Sequence, residues 1–447
     1  MASAAEQLAS QINFSNFAKA TELKKRIWFT LGALIIYRLG TWIPLPGIDP
    51  SILQDIFQQQ AGGILDMFNM LSGGAFARMT IFALNIMPYI SAAIIMQLLQ
   101  AIHPHFEALK KEGEVGRKKL NQYTRYGTVV LAALQAYGIA VGLEGMTGLQ
   151  GAAVAEPGAF FRATTVITLV GGTMFLMWLG EQITARGVGN GISLIIFAGI
   201  VAEMPSALIG TLELGRTGAL SALFIIFLLI MAVGVITFIV YVERAQRRVV
   251  VQYPKRQQGN KMVGGENSHI PLKVNTAGVI PPIFASSLLL LPITVANFSA
   301  NAGPGWLTDV TAYLGRGQPA YLLLYAGMII FFAFFYTSVV FNPTETADNL
   351  KKYGGFVPGI RPGKNTAEYL DFILTRLTVV GAIYLTAISI LPELLISQYG
   401  VPFYFGGTSL LIVVTVTMDT VAQVQSHLIA HQYEGLVKKS RLKGRRG

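Results

Sequence analysis

Ten stretches of about 20 predominantly apolar residues recur along the chain, and they constrain its fold more than any other feature of the sequence. As an α-helix, each stretch is long enough to cross a hydrocarbon core about 30 Å thick. Only 13% of the residues are charged, against about a quarter in an ordinary soluble domain, so neither a water-soluble fold nor a disordered chain fits. The sequence therefore predicts an all-α polytopic membrane protein with ten transmembrane helices. Their approximate spans are 24–43, 76–101, 123–142, 161–180, 188–208, 217–242, 274–296, 318–341, 377–398 and 404–429.

Positive charge is divided unequally between the two sides of the membrane that these crossings define. Ten crossings place both termini on one side, and that side holds 29 of the 34 Lys and Arg residues. Loops rich in Lys and Arg remain in the cytoplasm, so we expect both termini to be cytoplasmic. The first 22 residues lack the layout of a cleavable secretory signal, and we expect the N-terminus to be retained. The five basic residues on the outer side are Arg38, Arg78, Arg162, Arg216 and Arg316.

The crossings divide into two sets of five. An odd number per half makes the second half enter from the opposite side, which permits an inverted repeat with a pathway between the halves. Two cytoplasmic connections, 243–273 and 342–376, are too long for turns, and loops of this length are either functional or solvated linkers. The predicted domain boundaries are 1–23 for a cytoplasmic N-terminal segment, 24–208 and 209–429 for the two halves, and 430–447 for a basic cytoplasmic tail.

One outer segment is apolar but too short to cross the membrane. It runs from Ile64 to Leu71 and is followed by Ser72-Gly73-Gly74. Irregular backbone at membrane depth is tolerated only where protein or a water-filled cavity covers it. The segment is therefore either a re-entrant half-helix or an interfacial helix on the outer surface, and its residues alone do not choose between them.

Groups that would support catalysis or ion coupling are sparse in this sequence. Asp419 is the one carboxylate placed well inside a crossing, where ionisable groups are usually functional. The glycine-rich runs 187–191 and 359–365 lack the spacing of nucleotide-binding loops, and the chain has no cysteine. We therefore expect no enzyme activity, no cofactor and no metal site. An ion-coupled transporter of a small solute, with Asp419 as its coupling site, stays open as an alternative.

Specific runs of residues resemble the bacterial SecY family, the central subunit of the protein translocation channel. They occur in the family's order over almost the whole chain. The runs are Phe68 to Gly74, Ile86 to Ser91, Gln122 to Gly127, Trp178 to Thr184, Gly189 to Ser193, Glu345 to Leu350, Phe356 to Gly363 and Pro402 to Leu410.

The resemblance implies a clamshell of two pseudo-symmetric, inverted five-helix halves around a pore. It implies that the short segment near 62–72 is a plug that blocks the outer funnel, with Ile64, Leu65, Met67, Phe68, Asn69 and Met70 as its residues. It also implies an apolar pore ring of Ile86, Ile90, Ile192, Ile196, Ile283 and Ile412. As a check on depth, Ile86, Ile196, Ile283 and Ile412 lie eight to ten residues into their predicted crossings, about 12–15 Å by helix rise.

A lateral gate, through which signal sequences and membrane anchors leave for lipid, is also implied. Pro88 is predicted to interrupt the second helix, and Pro281-Pro282 the seventh, because a proline in a helix removes a backbone hydrogen bond and favours a kink. Gln97 and Ser287 either line this seam or make hydrogen bonds between packed helices.

The long cytoplasmic loops correspond to the family's docking site for the SecA motor ATPase or the ribosome. The residues implied are Arg361, held between two prolines, and Arg247, Arg248, Lys255 and Arg256. Some relatives carry two arginines after the glycine of the first loop, where this chain has Asn260-Lys261.

The implied function is a passive channel in the bacterial cytoplasmic membrane that moves unfolded preproteins and is driven by its partners. The implied partners are SecE, SecG, SecA, the ribosome, SecDF, YidC, the preprotein or signal sequence, and the lipid bilayer. A scaffold that only recruits ribosomes is a further alternative.

Overall fold

A computed structural model describes residues 20–50, 52–53, 69, 72–144, 147–148, 151–218, 221–254, 256–258, 261–263, 267–298, 318–399 and 407–443. Its helices are α1 Thr21–Gly40, α2 Met87–Ile102, α3 Pro104–Lys111, α4 Glu114–Glu144, α5 Ala159–Arg186, α6 Gly191–Arg216, α7 Ala222–Arg244, α8 Ile280–Phe298, α9 Pro319–Val340, α10 Pro343–Lys352, α11 Lys364–Tyr399 and α12 Gly407–Lys443. Its strands are β1 Thr147–Gly148, β2 Gly151–Ala152, β3 Gln246–Gln252, β4 Arg256–Gln258, β5 Lys261–Val263 and β6 Asn267–Lys273.

Each of the ten predicted crossings overlaps one of these helices. In the part of the chain that the structure describes, seven helical stretches are long and apolar enough to span a membrane. The other three predicted crossings overlap α1, α2 and α8, which have 20, 16 and 19 residues. The protein is a multi-pass membrane protein, as its hydropathy predicts.

The second crossing is not helical over its predicted length. Residues 72–86 form successive turns, and α2 begins only at Met87. Two residues in the turns, Met79 and Asn85, have positive φ angles of 44° and 50°. Hydropathy does not report backbone conformation. An irregular backbone is tolerated in this apolar segment because protein covers it, and Phe76, Met79 and Phe82 are all buried.

The prolines predicted to kink the second and seventh helices lie at helix starts instead. Pro88 is the second residue of α2, and Pro281 and Pro282 are the second and third residues of α8. The first-turn N–H groups of a helix have no intrahelical acceptor, so a proline there breaks no bond and its fixed φ suits the helix. The expected kinks at these positions are therefore wrong.

The predicted depth of four ring isoleucines, eight to ten residues into their helices, is also wrong, because these helices begin later than predicted. Ile86 precedes α2, and Ile283 is only the fourth residue of α8. Ile196 and Ile412 are each the sixth residue of their helices, α6 and α12. In these four crossings the apolar run begins before the helix does, so the start of the run does not mark the start of the helix.

The chain forms two compact units. The first comprises Met1–Ala92, Gln122–Ser206 and Ile412–Gly447. In its described part, the ring of Phe82 stacks between those of Tyr37 and Phe175, at centroid distances of 6.2 and 5.9 Å. Stacked rings add to the stabilisation that their burial provides, and this stack fixes the irregular segment between α1 and α5.

Ion pairs join α4 and α5 at both ends within this unit. The guanidinium of Arg125 donates two hydrogen bonds to Glu181, at 3.1 and 2.7 Å. At the other end, Arg162 donates to Glu144 at 2.9 and 2.6 Å. Forked arginine–carboxylate pairs are directional, so they fix how the two helices align along their length.

The second unit comprises Ala93–Asn121 and Ala207–Leu411. Strands β3 and β6 pair in an antiparallel hairpin, from Gln246 opposite Lys273 to Gln252 opposite Asn267. The strands β4 and β5 also pair with each other. The connection 243–273, predicted from its length to be a loop, thus contains β-strands, which an all-α fold class does not include.

Candidate channel and docking sites

Two pairs of the predicted pore-ring isoleucines lie one helical turn apart. Ile86 and Ile90 are joined by a hydrogen bond from the Ile90 N–H to the Ile86 carbonyl, at 3.1 Å. Ile192 and Ile196 have the same spacing at the start of α6. Residues four apart share one face of a helix, so each pair presents two branched apolar side chains in the same direction.

Burial differs among the six isoleucines. Ile86, Ile90, Ile196 and Ile412 are buried, with Ile86 only 1% exposed, and Ile192 and Ile283 are half-buried. Five of the six belong to the first unit, and Ile283 belongs to the second. The structure therefore places five ring candidates in one compact body, whereas the grouping of all six in a ring stays a prediction.

Asn69 is the only predicted plug residue within the described part of the chain. Its carbonyl accepts hydrogen bonds from the Gly74 N–H at 2.8 Å and the Ser72 hydroxyl at 3.0 Å. Its side-chain oxygen accepts from the Ala77 N–H at 2.9 Å. Asn69 is thus bound into the turns that lead to Ile86. Ile64, Leu65, Met67, Phe68 and Met70 lie outside the described residues.

A polar cluster next to these turns was not predicted from the sequence. Arg38 Nη1 donates to the Gly73 carbonyl at 2.6 Å. The Arg78 guanidinium lies 4.0 Å from the centroid of the Trp42 ring and 3.7 Å from Glu203 Oε1. The cluster joins α1 and α6 to residues 73–78. The sequence held one indication of this cluster, because Arg38 and Arg78 are two of the five basic residues predicted on the outer side.

The predicted lateral-gate residues lie on two helices. Pro88 and Gln97 belong to α2, and Pro281, Pro282 and Ser287 belong to α8. Ser287 is buried. The side-chain oxygen of Gln97 is buried without a hydrogen-bond partner among the residues described. A buried carbonyl without a hydrogen-bond partner is energetically unfavourable.

Three of the predicted docking residues, Arg247, Arg248 and Arg361, belong to one folded element of the second unit. Its apolar cluster consists of Val249, Leu272, Val357, Leu370 and Leu374. This cluster packs the hairpin β3–β6 and the turn at Val357 against α11. The backbones of Gln252 and Phe356 exchange hydrogen bonds at 2.8 and 3.0 Å. The connections 243–273 and 342–376 therefore contribute to one folded element.

Arg361 projects from this element. It is exposed, and its carbonyl accepts from the Thr366 hydroxyl at 2.9 Å. Arg247 and Arg248, on β3, are also exposed. Arg256 lies on β4, and Lys255 lies outside the described residues. The element thus carries three exposed arginines, Arg361, Arg247 and Arg248, and guanidinium groups suit binding to phosphate or carboxylate groups.

Comparison with solved structures identifies the fold. A solved structure described as showing that the plug domain of the SecY protein stabilizes the closed state of the translocation channel has a TM-score of 0.61 at 19% identity, covering 91% of this chain and 92% of that one. Sec61 in a canine ribosome–channel complex has a TM-score of 0.60 at 17% identity, with the same coverage. These likenesses show that the fold is that of the SecY and Sec61 channels.

Sequence comparison is more specific than the fold. The protein translocase subunit SecY of Escherichia coli strain K12 is 58% identical over 424 residues, which are 95% of this chain and 96% of that protein. The SecY family model matches residues 80–421. The chain therefore belongs to the SecY family.

Proposed function

We propose that this protein is the central pore-forming subunit of a channel that moves unfolded preproteins across the bacterial cytoplasmic membrane and releases membrane segments sideways into the bilayer. The observation that carries the proposal is the identity of 58% over 95% of the chain with a protein translocase subunit. The charge distribution supports an orientation with both termini in the cytoplasm.

The isoleucine ring provides the seal of the resting channel in this proposal. Branched apolar side chains that meet in a narrow passage expel water, and a dry constriction excludes ions without a fixed charge. The same side chains change rotamer to admit a polypeptide. Asn69 is hydrogen-bonded to the turns of residues 72–86, and Ile86 is the last residue of these turns. The predicted plug and the ring are therefore close together in the chain.

The energy for transport comes from partners. The exposed guanidinium groups of Arg361, Arg247 and Arg248 suit the acidic surface of a motor protein such as SecA, or the phosphates of ribosomal RNA. The canine relative is described in a complex with a ribosome. SecE and SecG would cover lipid-exposed helices, and SecDF and YidC would act on the same substrates.

The secondary-transporter alternative is less well supported. Its coupling residue, Asp419, is exposed on α12. A carboxylate that couples ion and solute movement needs a protected site in which its charge is compensated by the bound ion. We therefore favour the channel, which does not require a coupling ion.

Site-specific photocrosslinking to a stalled preprotein tests the proposal. A crosslinker at Ile86, Ile283 or Gln97 is expected to capture the preprotein, whereas one at Ile230, 66% exposed on α7, serves as the matched control and is expected not to. Capture at none of the three positions, in a chain that supports export, would contradict the assigned path. Solute uptake that follows a sodium or proton gradient would favour the transporter instead.

A further inference from the structure

The turn between α5 and α6, residues 187–190, is held by side chains from both ends of the chain. The Val188 N–H donates to the Thr30 hydroxyl of α1 at 3.0 Å. The Gly189 N–H donates to Gln423 Oε1 of α12 at 2.9 Å. Val188 and Gly189 are both buried, so each side chain satisfies a backbone donor that water does not reach.

Glycines allow this close contact. A Cβ on Gly187 would clash with the Thr30 hydroxyl oxygen. Gly189 has a φ of +89°, and a Cβ there would lie 2.8 Å from Leu194 Cδ1. The glycine-rich run 187–191, which does not fit a nucleotide-binding loop, is thus explained by the packing of this turn.

The turn also sets where α6 begins. The side-chain oxygen of Asn190 accepts from the Ile192 N–H at 3.1 Å, as an N-cap does. The Gly191 N–H donates to the Thr184 hydroxyl of α5 at 2.9 Å. Ile192 therefore lies in the first turn of a helix whose start is fixed by the hydrogen bonds of residues 188–191, and Ile196 follows one turn later.

Gln423 connects the same turn to the helix that carries Ile412. Gln423 lies eleven positions after Ile412 on α12. This spacing corresponds to about 16 Å along a helix. Apolar packing reinforces the link, since Ala20, Leu23, Val188 and Leu428 form one buried cluster. All of these residues belong to the first compact unit.

We propose that Thr30 and Gln423 are positioning residues of the pore ring. By binding the 187–190 turn, they set the axial position of Ile192 and Ile196 relative to Ile412, and so the closure of the resting channel. This inference rests on the assignment of the ring in the proposed function. Neither side chain contacts the substrate in this proposal, since each acts through the turn.

Paired substitutions in the assembled, reconstituted translocase test the proposal. Thr30→Val and Gln423→Met remove the acceptor at nearly constant size, whereas Thr30→Ser and Gln423→Glu keep it. Resting ion flux per channel is expected to rise about tenfold in Thr30→Val and in Gln423→Met, the order of effect when a buried donor loses its partner. Thr30→Ser and Gln423→Glu are expected to stay within about twofold of wild type, because they retain the bond.

The variant Ile86→Asn with Ile283→Asn separates failure of the two proposals. If that variant leaks and neither Thr30→Val nor Gln423→Met does, the positioning role is refuted while the ring stands. If none of these three variants leaks, the assignment of the ring is refuted, and the positioning role that rests on it is refuted as well. Equal leaks in the conservative and non-conservative variants would also refute the role, because the bond would then not matter. If Thr30→Val does not accumulate, Gln423→Met alone tests the positioning role. Gln423 is exposed, so its substitution is expected to leave folding intact.

Discussion

Substitution of the ring by asparagine should open the resting channel to ions. Ile86 is 1% exposed, and full burial of an isoleucine side chain contributes about 1.5–3 kcal/mol. In Ile86→Asn with Ile283→Asn, the dry, closed ring loses this contribution at Ile86 and about half of it at Ile283, which is half-buried, and an asparagine amide is itself better hydrated than buried. A difference of about 1.4 kcal/mol corresponds to tenfold in an equilibrium constant, so the two changes together predict at least about a 40-fold shift toward a hydrated pore.

Potassium efflux from vesicles that contain the reconstituted translocase measures this shift. Efflux should be rapid without any preprotein, and a trapped preprotein should reduce it because the polypeptide fills the pore. Ile230→Asn, a change of the same chemistry on an exposed face of α7, should not leak. A resting efflux equal to that of wild type, with normal amounts of assembled channel, would refute the reasoning that these isoleucines seal the pore.

Three further predictions concern the docking element and the transporter alternative. Arg361→Glu should abolish motor-driven export while the complex still assembles, whereas Lys352→Glu, at another exposed basic position, should have a small effect; normal export in Arg361→Glu would remove it from the docking role. Leu370→Ala, at a side chain that is fully buried in the cluster beneath the hairpin, should cost about 2–5 kcal/mol and expose the 243–273 connection to limited proteolysis, and an unchanged cleavage pattern would contradict the shared base. Asp419→Asn should leave preprotein transport unchanged, and a loss of gradient-driven solute uptake in this variant would instead support the transporter.

The positions of the membrane crossings could be predicted because they depend on local composition. A segment either is or is not long and apolar enough to replace water with lipid, and each of the ten predicted spans overlaps a helix. The helix starts could not be read in the same way. Residues 72–86 are as apolar as a crossing, yet their turns are fixed by contacts such as the hydrogen bond from the Ile81 N–H to the Ile43 carbonyl.

The predicted docking residues also show which features local sequence predicts and which depend on tertiary packing. The sequence indicated both long loops and their basic character, which follow from length and charge. It did not indicate that Val249, Val357 and Leu370 meet in one cluster. These residues lie on separate strands, turns and helices, and their pairing depends on which faces remain unfilled after the helices pack.

By itself, the sequence determined that the protein spans the membrane and, through its motif runs, the family to which it belongs, and its charge distribution predicts which side is cytoplasmic. Only the tertiary structure decided how the helices that carry the proposed ring are held. Thr30 bonds a residue 158 positions away, and Gln423 one 234 positions away. Hydropathy and charge are sums over neighbouring residues, whereas these bonds exist because folding buries two backbone N–H groups that then require acceptors.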